Sequence, residues 1–206
     1  GALKLTIIGA GSTYTPELIH GLMTRSAELA LTEVALHDVN AERLEPVAGF
    51  CRRMCASMDI ALKLSHSTDL ERCLDGAQFV VIQIRVGGQQ GRHEDIRLGL
   101  ELGLIGQETT GVGGFAKALR TIPEVLRLAE RVRRSCPGAW ILNFTNPSGM
   151  VTEALTRSGV ERVVGLCNVP IEMHIEIAQA LGRSVSEVTL DWVGLNHLGW
   201  VRRVLV

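Results

Sequence analysis

A glycine pair near the start of the chain has the spacing of a loop that binds a dinucleotide. Gly9 and Gly11 lie between a strand-like apolar run and a helical pattern. Gly9 permits a tight turn, and Gly11 lets the backbone approach a pyrophosphate. The amides of Ser12 and Thr13 then offer donors at the positive end of the helix. Tyr14 replaces the third glycine of the fingerprint, so a simple turn is an equal alternative.

An acidic residue follows the second strand-like run. Asp38 comes directly after Val34–His37, where a carboxylate can accept hydrogen bonds from a ribose diol. A carboxylate there favours NAD over NADP, because it repels a 2′-phosphate. The alternative is that Asp38 caps a helix that begins at Ala41.

A thiol and an imidazole are available further along the chain. Cys167 and His197 are thirty positions apart, which is no metal-binding signature by spacing. Taken alone, Cys167 is typical of a core thiol and His197 of a loop histidine with structural hydrogen bonds. His174 lies on a predicted helix and is interpreted as structural.

Alternating apolar runs and amphipathic segments predict the elements that position these residues. Strands are predicted at 5–8, 34–36, 61–66, 79–84, 140–144, 163–166 and 188–193. Helices are predicted from Pro16, at 41–58, 92–102 and 115–134, from Pro147 and at 171–181, with a glycine-rich loop at 111–114. Continuous apolar strands joined by helices predict an α/β fold, a Rossmann-like doubly wound and mainly parallel sheet.

Composition excludes several classes of protein. The 206 residues carry a formal net charge of −1, without the basic excess that nucleic acid or an anionic membrane requires. No apolar run approaches the ~20 residues of a membrane helix. Five cysteines without the spacing of a disulfide scaffold indicate a reducing cytoplasm. The apolar run 200–206 ends in mid-strand, and we therefore expect a C-terminal portion to be missing.

Seven short motifs in the sequence indicate a protein family more specifically than the composition does. The chain resembles the NAD- and metal-dependent glycoside hydrolases of family 4, most closely the 6-phospho-β-glucosidase branch. The resemblance runs along the whole chain, with the motifs in the family's order. They are Gly9-Ala-Gly-Ser-Thr-Tyr-Thr-Pro-Glu17, Arg85-Val-Gly-Gly88, Gly106-Gln-Glu-Thr-Thr-Gly111, Ala118-Leu-Arg-Thr-Ile-Pro123, Asn143-Phe-Thr-Asn-Pro147, Cys167-Asn-Val-Pro170 and Gly194-Leu-Asn-His-Leu-Gly-Trp200.

The resemblance implies hydrolysis of 6-phospho-β-glucosides through a redox cycle. NAD oxidises C3 of the sugar, and this acidifies the proton at C2. A divalent metal, usually Mn²⁺, polarises the oxygens at C2 and C3. A base removes the C2 proton, the aglycone leaves by elimination, water adds, and the same NADH reduces C3. This scheme is an exception to the two-carboxylate glycosidases.

The resemblance also implies the metal ligands and one marker of the branch. Cys167 and His197 match the metal ligands, and substrate hydroxyls would complete the shell. Asn168 stands where the α-acting branch carries an aspartate as general acid, which indicates the β branch with Asn168 binding substrate. By chemistry alone, Asn168 is equally a turn residue before Pro170.

Four further residues receive roles from the resemblance. Arg92 and Asn146 match substrate-binding residues, with Arg92 on the phosphate side. Glu108 matches a carboxylate that raises the basicity of the catalytic tyrosine, and Arg85 is expected at the cofactor. The alternatives are a solvated charge for Arg92, a helix N-cap for Asn146 and a loop acid for Glu108.

The expected organisation is an NAD-binding domain at 3–166 followed by the start of a metal and substrate domain at 167–206. The C-terminal α+β domain of the family would be largely missing. The family's base is a tyrosine in the C-terminal half, whereas the only tyrosine here is Tyr14. We therefore expect the parent enzyme to act on a phosphorylated disaccharide or aryl glycoside as a dimer or tetramer, and these residues alone to be inactive.

Other functions stay open at this point. A 6-phospho-α-glucosidase or an α-galactosidase-like member of the same family is one alternative. A lactate- or malate-type NAD dehydrogenase domain is a second, and it would need a catalytic histidine with an aspartate partner. A non-enzymatic NAD-sensing module is a third, and it predicts NAD binding without a metal site.

Overall fold

The computed structural model describes residues 3–58 and 60–206. Its main feature is a six-stranded, all-parallel sheet in the order β3-β2-β1-β4-β5-β6. The strands of this sheet are β1 (Leu3–Ile8), β2 (Leu31–His37), β3 (Lys63–Ser67), β4 (Phe79–Ile82), β5 (Trp140–Asn143) and β6 (Val163–Gly165). This order is that of the doubly wound dinucleotide-binding fold, so the predicted fold class is confirmed.

Helices cover both faces of the sheet. They are α1 (Thr15–Thr24), α2 (Ser26–Leu29), α3 (Ala41–Ser57), α4 (Leu70–Leu74), α5 (Gly88–Glu101), α6 (Gly111–Ser135), α7 (Ser148–Arg157) and α8 (Val169–Ala180). One core cluster packs α1 and α3 on the sheet around Ile7 and Ile19. The other packs α6 and α7 around Ile82 and Val125. Burial of the central strands β1, β2 and β4 on both faces explains their apolar sequences.

The strand order reverses between β1 and β4, whose ends are in register at Ile8 and Ile82. A crevice opens beyond the carboxyl ends of the strands at such a switch point, and ligands of this fold class bind there. The segments after β1, β2, β4, β5 and β6 all begin at this edge. They carry almost every candidate residue that the sequence singles out.

A separate antiparallel hairpin follows α8. Its strands are β7 (Thr189–Leu195) and β8 (Leu198–Leu205), and they form a two-stranded sheet of their own. The predicted strand at 188–193 is therefore present but lies outside the parallel sheet. The expected boundary between 166 and 167 falls between β6 and α8, and the division into domains stays a prediction.

Two predicted helix starts are wrong by four residues. The glycine-rich segment at 111–114 is the first turn of α6, not a loop. Gly113 and Gly114 are buried there against the backbone of residues 95, 107 and 109, which leaves no room for a Cβ atom. Helix α5 begins at Gly88, four residues before the predicted start. In the part of the chain that the structure describes, no helix combines the length and apolar character that crossing a bilayer requires.

Candidate functional site

The loop after β1 is held tightly against the neighbouring strands. Gly9 has φ +88°, and its amide and that of Ala10 both donate to the carbonyl of His37 at 2.9 Å. A Cβ atom on Gly9 would lie 2.5 Å from the carbonyl oxygen of Gln83. Glycine is therefore required by backbone conformation and by space, as a tight dinucleotide-binding turn demands.

Asp38 is bonded directly to this loop. Its Oδ2 atom accepts from the amide of Gly11 at 2.8 Å, and its Oδ1 atom accepts from the amide of Asn40 at 2.9 Å. The cap of α3 is Asn40, whose Oδ1 atom accepts from Arg43, so the alternative that Asp38 is the side-chain cap is wrong. The carboxylate retains further lone pairs for a ribose diol.

The remaining residues of the loop lead towards the middle of the sheet. Thr13 is exposed, and the Oγ atom of Ser12 accepts from the amide of Tyr14 at 3.2 Å. The Tyr14 ring stacks on Phe144 just beyond β5, with centroids 5.3 Å apart and an interplanar angle of 23°. This stack joins the loop after β1 to the segment that carries Asn146.

Arg85, Arg92 and Glu108 come together at the end of β4. The Oε2 atom of Glu108 accepts from Arg85 Nη1 and from Lys117 Nζ, the latter at 2.7 Å. The Nε atom of Arg92 lies 3.6 Å from the other carboxylate oxygen. Burial raises the pKa of Glu108, but hydrogen bonds from Lys117 and Arg85 outweigh it and hold the pKa below its ordinary value.

Sequence reasoning missed Lys117. It lies on α6 among buried residues at helical spacing, including Gly113, Gly114, Ala118 and Thr121, and is itself 2% exposed. Burial lowers the pKa of Lys117, and the hydrogen bond to Glu108 opposes that shift. The available signal was a lysine on the inward face of an amphipathic helix, where a buried partner of opposite charge is required.

Cys167 and His197 meet although they are thirty residues apart. Cys167 precedes α8, and His197 lies in the two-residue turn between β7 and β8. Their Sγ and Nε2 atoms are 3.5 Å apart. In tetrahedral Zn²⁺ sites, sulfur lies ~2.3 Å and nitrogen ~2.1 Å from the ion, so the two ligand atoms are about 3.6 Å from each other.

The pair therefore fits an open metal site. Within 3–58 and 60–206, no cluster of three or more His, Cys, Asp or Glu side chains could hold a metal ion. Two protein ligands leave positions for groups of a substrate. His197 has φ +61°, a left-handed conformation that costs a non-glycine residue about 1–3 kcal/mol. Strain of this kind is concentrated at functional sites.

The two asparagines follow the ends of β5 and β6. Asn146 Oδ1 accepts from the amide of Ser148 at 3.3 Å, which leaves the Asn146 NH₂ group for a ligand. The N-cap of α7 is Pro147, so the alternative that Asn146 is the helix N-cap is wrong. Asn168 donates through Nδ2 to Glu172, so its carbonyl oxygen remains an acceptor. His174 Nε2 lies 2.7 Å from the carbonyl oxygen of Val188, a contact that supports its structural interpretation.

Two clefts border the candidate metal ligands. One, of about 530 Å³, is lined by His197, Trp192 and Met173 among others. The other, of about 640 Å³, is lined by Cys167, Asn196 and Ser148. The site thus has three parts along one sheet edge: the loop after β1, the charged cluster after β4 and the thiol–imidazole pair.

A parallel sheet in this strand order, with a glycine turn after β1 and an acid after β2, defines a Rossmann-like dinucleotide-binding protein. The family 4 glycosyl hydrolase model matches residues 4–183. The chain belongs to that family.

Similar proteins agree with this assignment. The chain is 45% identical over 199 residues to a probable 6-phospho-β-glucosidase of Bacillus subtilis, covering 95% of this chain and 45% of that protein. A 6-phospho-α-glucosidase of Lacticaseibacillus paracasei is 35% identical, with 96% and 45% covered. The chain thus spans about half the length of the curated relatives it matches.

A solved structure of the Thermotoga maritima 6-phospho-β-glucosidase is also similar. It superposes with a TM-score of 0.91 at 40% identity, covering 99% of this chain and 49% of that one, and contains NAD and glucose 6-phosphate. A further structure of the same enzyme contains manganese as well.

Proposed function

We propose that this chain forms the cofactor- and metal-binding part of an enzyme that hydrolyses 6-phospho-β-glucosides with NAD and a divalent metal. The observation that carries the proposal is the 3.5 Å approach of Cys167 Sγ and His197 Nε2 at the same sheet edge as the dinucleotide loop. A dehydrogenase of the lactate or malate type requires no such metal pair.

In this proposal the loop after β1 binds the pyrophosphate and Asp38 the adenosine ribose. Gly9 and Gly11 allow the close approach, and the amide of Thr13, just before α1, would donate to the anion. The Ser12 amide instead donates to the carbonyl of Gly9 at 3.2 Å. Asp38 already holds the amide of Gly11, so it orients the loop as well as the ribose. Its negative charge favours NAD over NADP.

Cys167 and His197 hold the divalent metal, proposed to be Mn²⁺. A thiolate with an imidazole suits a borderline divalent ion. When bound, NAD supplies a reversible hydride acceptor and the metal a Lewis acid for sugar oxygens. Asn146 binds substrate hydroxyls through its NH₂ group and Asn168 through its carbonyl oxygen, the groups that their own hydrogen bonds leave available.

The charged cluster after β4 is proposed to bind the phosphate of the substrate through Arg92, with Arg85 nearer the cofactor. Exposed guanidinium groups at a helix N-terminus suit a phosphate. Glu108 is paired with two cations, so it stays ionised at neutral pH. An ionised Glu108 is the form that would raise the basicity of a neighbouring tyrosine, which this chain does not supply.

The β specificity is supported by Asn168. Its amide has no acidic proton to transfer, whereas an aspartate at this position would serve as a general acid. The higher identity to a relative named as a β-glucosidase supports the same choice. An oligomeric parent enzyme in the cytoplasm belongs to the same proposal, together with the domain division at 166.

Titration with NAD⁺ and Mn²⁺ tests the proposal. NAD⁺ binding is followed by calorimetry and Mn²⁺ binding by the loss of the free-ion EPR signal, with glucose 6-phosphate added to complete the metal shell. We expect Cys167→Ser and His197→Ala each to weaken Mn²⁺ binding at least tenfold and to leave NAD⁺ affinity within twofold.

His20→Ala is the matched control, because His20 is an exposed histidine on α1. It should change neither affinity. Mn²⁺ binding that survives both ligand substitutions would reject the metal assignment, and NAD⁺ binding without any metal site would favour a sensing module.

A further inference from the structure

Lys117 places a positive charge inside the fold. Its side chain is 3% exposed, and α6 continues for eighteen residues beyond it. Within residues 3–58 and 60–206, its ammonium donates a hydrogen bond to Glu108 Oε2 at 2.7 Å. An ammonium buried with one carboxylate adds little stability compared with an apolar pair, so stability alone does not account for it.

Glu108 connects this buried cation to two exposed ones. Its Oε2 atom is shared by Lys117 and Arg85, and its Oε1 atom faces Arg92 Nε at 3.6 Å. The side chains of Arg85 and Arg92 are 33% and 45% exposed, whereas that of Glu108 is 16% exposed. The Glu108 carboxylate therefore lies between the buried ammonium of Lys117 and the partly exposed guanidinium groups of Arg85 and Arg92.

A second ion pair fixes the backbone that carries Arg85. Arg120 donates to both oxygens of Asp95, at 3.1 and 2.6 Å, and its Nε atom donates to the carbonyl of Val86 at 3.0 Å. Asp95 is 3% exposed. The turn before α5 is thus tied to α6. The ion pairs join four cations to two carboxylates, and Glu94 is a third carboxylate near Arg120, which leaves one excess positive charge. The excess positive charge suits an anionic ligand.

We propose that Lys117 is a positioning residue whose ammonium fixes the Glu108 carboxylate, which in turn directs Arg85 and Arg92 towards a ligand that carries a phosphate group. The proposal rests on the proposed function only for the source of that phosphate. Lys117 touches no ligand itself, and its effect passes through Glu108.

Sulfate is a suitable probe, because it carries a fixed charge of −2 and needs neither NAD nor metal. Binding is measured by NMR from the Nε–Hε signals of Arg85 and Arg92 in the whole chain. We expect Lys117→Met to weaken sulfate binding about fivefold, through the lost charge and the released arginines.

The variant Glu108→Gln distinguishes two effects on sulfate affinity, the positioning of the arginine side chains and the net charge of the cluster. Removal of a negative charge alone should tighten sulfate binding, whereas loss of positioning should weaken it. We expect about threefold weakening in Glu108→Gln. The double variant Lys117→Met with Glu108→Gln has the wild-type net charge, so a charge effect would cancel; we expect it to stay about fivefold weaker than wild type.

The double variant also tests folding, because it replaces a buried ion pair with neutral groups and should stay folded if either single variant does not. Wild-type sulfate affinity in the double variant, or tighter binding in Glu108→Gln, would overturn the proposal. Neither result depends on NAD or Mn²⁺ binding, so a failure here is distinct from a failure of the proposed function.

Discussion

Replacement of Gly9 by alanine tests whether the loop after β1 has the close packing described for it. An alanine at φ +88° has a left-handed backbone conformation, which lowers the free energy of unfolding by about 1–2 kcal/mol. Its Cβ atom would also lie 2.5 Å from Gln83 O and 2.9 Å from Gln83 C, backbone atoms that cannot rotate away. Overpacking of this kind adds about 1–3 kcal/mol, for a total of about 2–5 kcal/mol.

Gly159 provides a matched control. It has φ +85°, and a Cβ atom there would meet nothing within 4 Å. Gly159→Ala should therefore lose only the left-handed penalty of about 1–2 kcal/mol. Urea unfolding followed by circular dichroism measures both losses, and NAD⁺ calorimetry measures binding.

The expected difference between the two variants is about 2 kcal/mol, or roughly 6 °C in Tm for a chain of this size. Gly9→Ala should also lose measurable NAD⁺ binding, whereas Gly159→Ala should keep it. Equal losses of stability in the two variants, or NAD⁺ binding retained by Gly9→Ala, would refute the reasoning.

Four other predictions follow from the structure. Asp38→Ser should lower the ratio of NAD to NADP affinity at least tenfold in paired titrations, and an unchanged ratio would remove Asp38 from the ribose site. Native thiol labelling at pH 8 should modify Cys167 first. Burial raises the pKa of Cys51 to about 11 and also raises the pKa of the thiols at Cys55, Cys73 and Cys136. Mass spectrometry identifies the labelled cysteine, and early labelling of Cys51 would contradict this prediction. Burial holds the pKa of His37 below its ordinary value, so the unfolded chain binds more protons at this residue than the folded chain does. The free energy of unfolding should therefore fall as the pH drops below about 6.5. Urea unfolding from pH 7.5 to 5.5 should show a smaller fall in His37→Asn. The 206 residues alone should not turn over an aryl 6-phospho-β-glucoside, because their only tyrosine is Tyr14 in the dinucleotide loop, and robust release of the aglycone would show the inference to be wrong.

The sheet could be predicted well because buried parallel strands leave a simple pattern. Each strand except β3 at the sheet edge contains an apolar run, and the glycine pair marks the end of β1. The start of α6 could not be predicted from glycine content. The local sequence around Gly113 and Gly114 is typical of a loop. The close packing of α6 on the backbone around Asp95, however, requires residues without Cβ atoms at these positions.

The site was only partly accessible from sequence. Cys167 and His197 are related by the hairpin of β7 and β8, a long-range arrangement that no spacing rule encodes. Their pairing therefore rested on the family resemblance, and the structure supplies the distance. Lys117 was missed because the resemblance assigns no role to it, and its burial depends on how α6 faces the loop that carries Glu108.

The hydrogen bonds of Asp38 illustrate the same limit. The sequence placed a carboxylate at the end of β2 and left two roles open, a ribose ligand or a helix cap. The structure assigns the side-chain cap to Asn40 and turns Asp38 towards Gly11. Only the three-dimensional arrangement distinguishes two acceptors that are two residues apart.

The central claim is that the nicotinamide end of NAD and the ion held by Cys167 and His197 meet at one sheet edge. Paramagnetic broadening of the proton signals of bound NAD⁺ by Mn²⁺ tests it directly, because broadening falls steeply with distance from the ion. We predict strong broadening of the nicotinamide protons, weak broadening of the adenine protons, and loss of both in Cys167→Ser. Broadening that is equal at the two ends, or unchanged in Cys167→Ser, would contradict it.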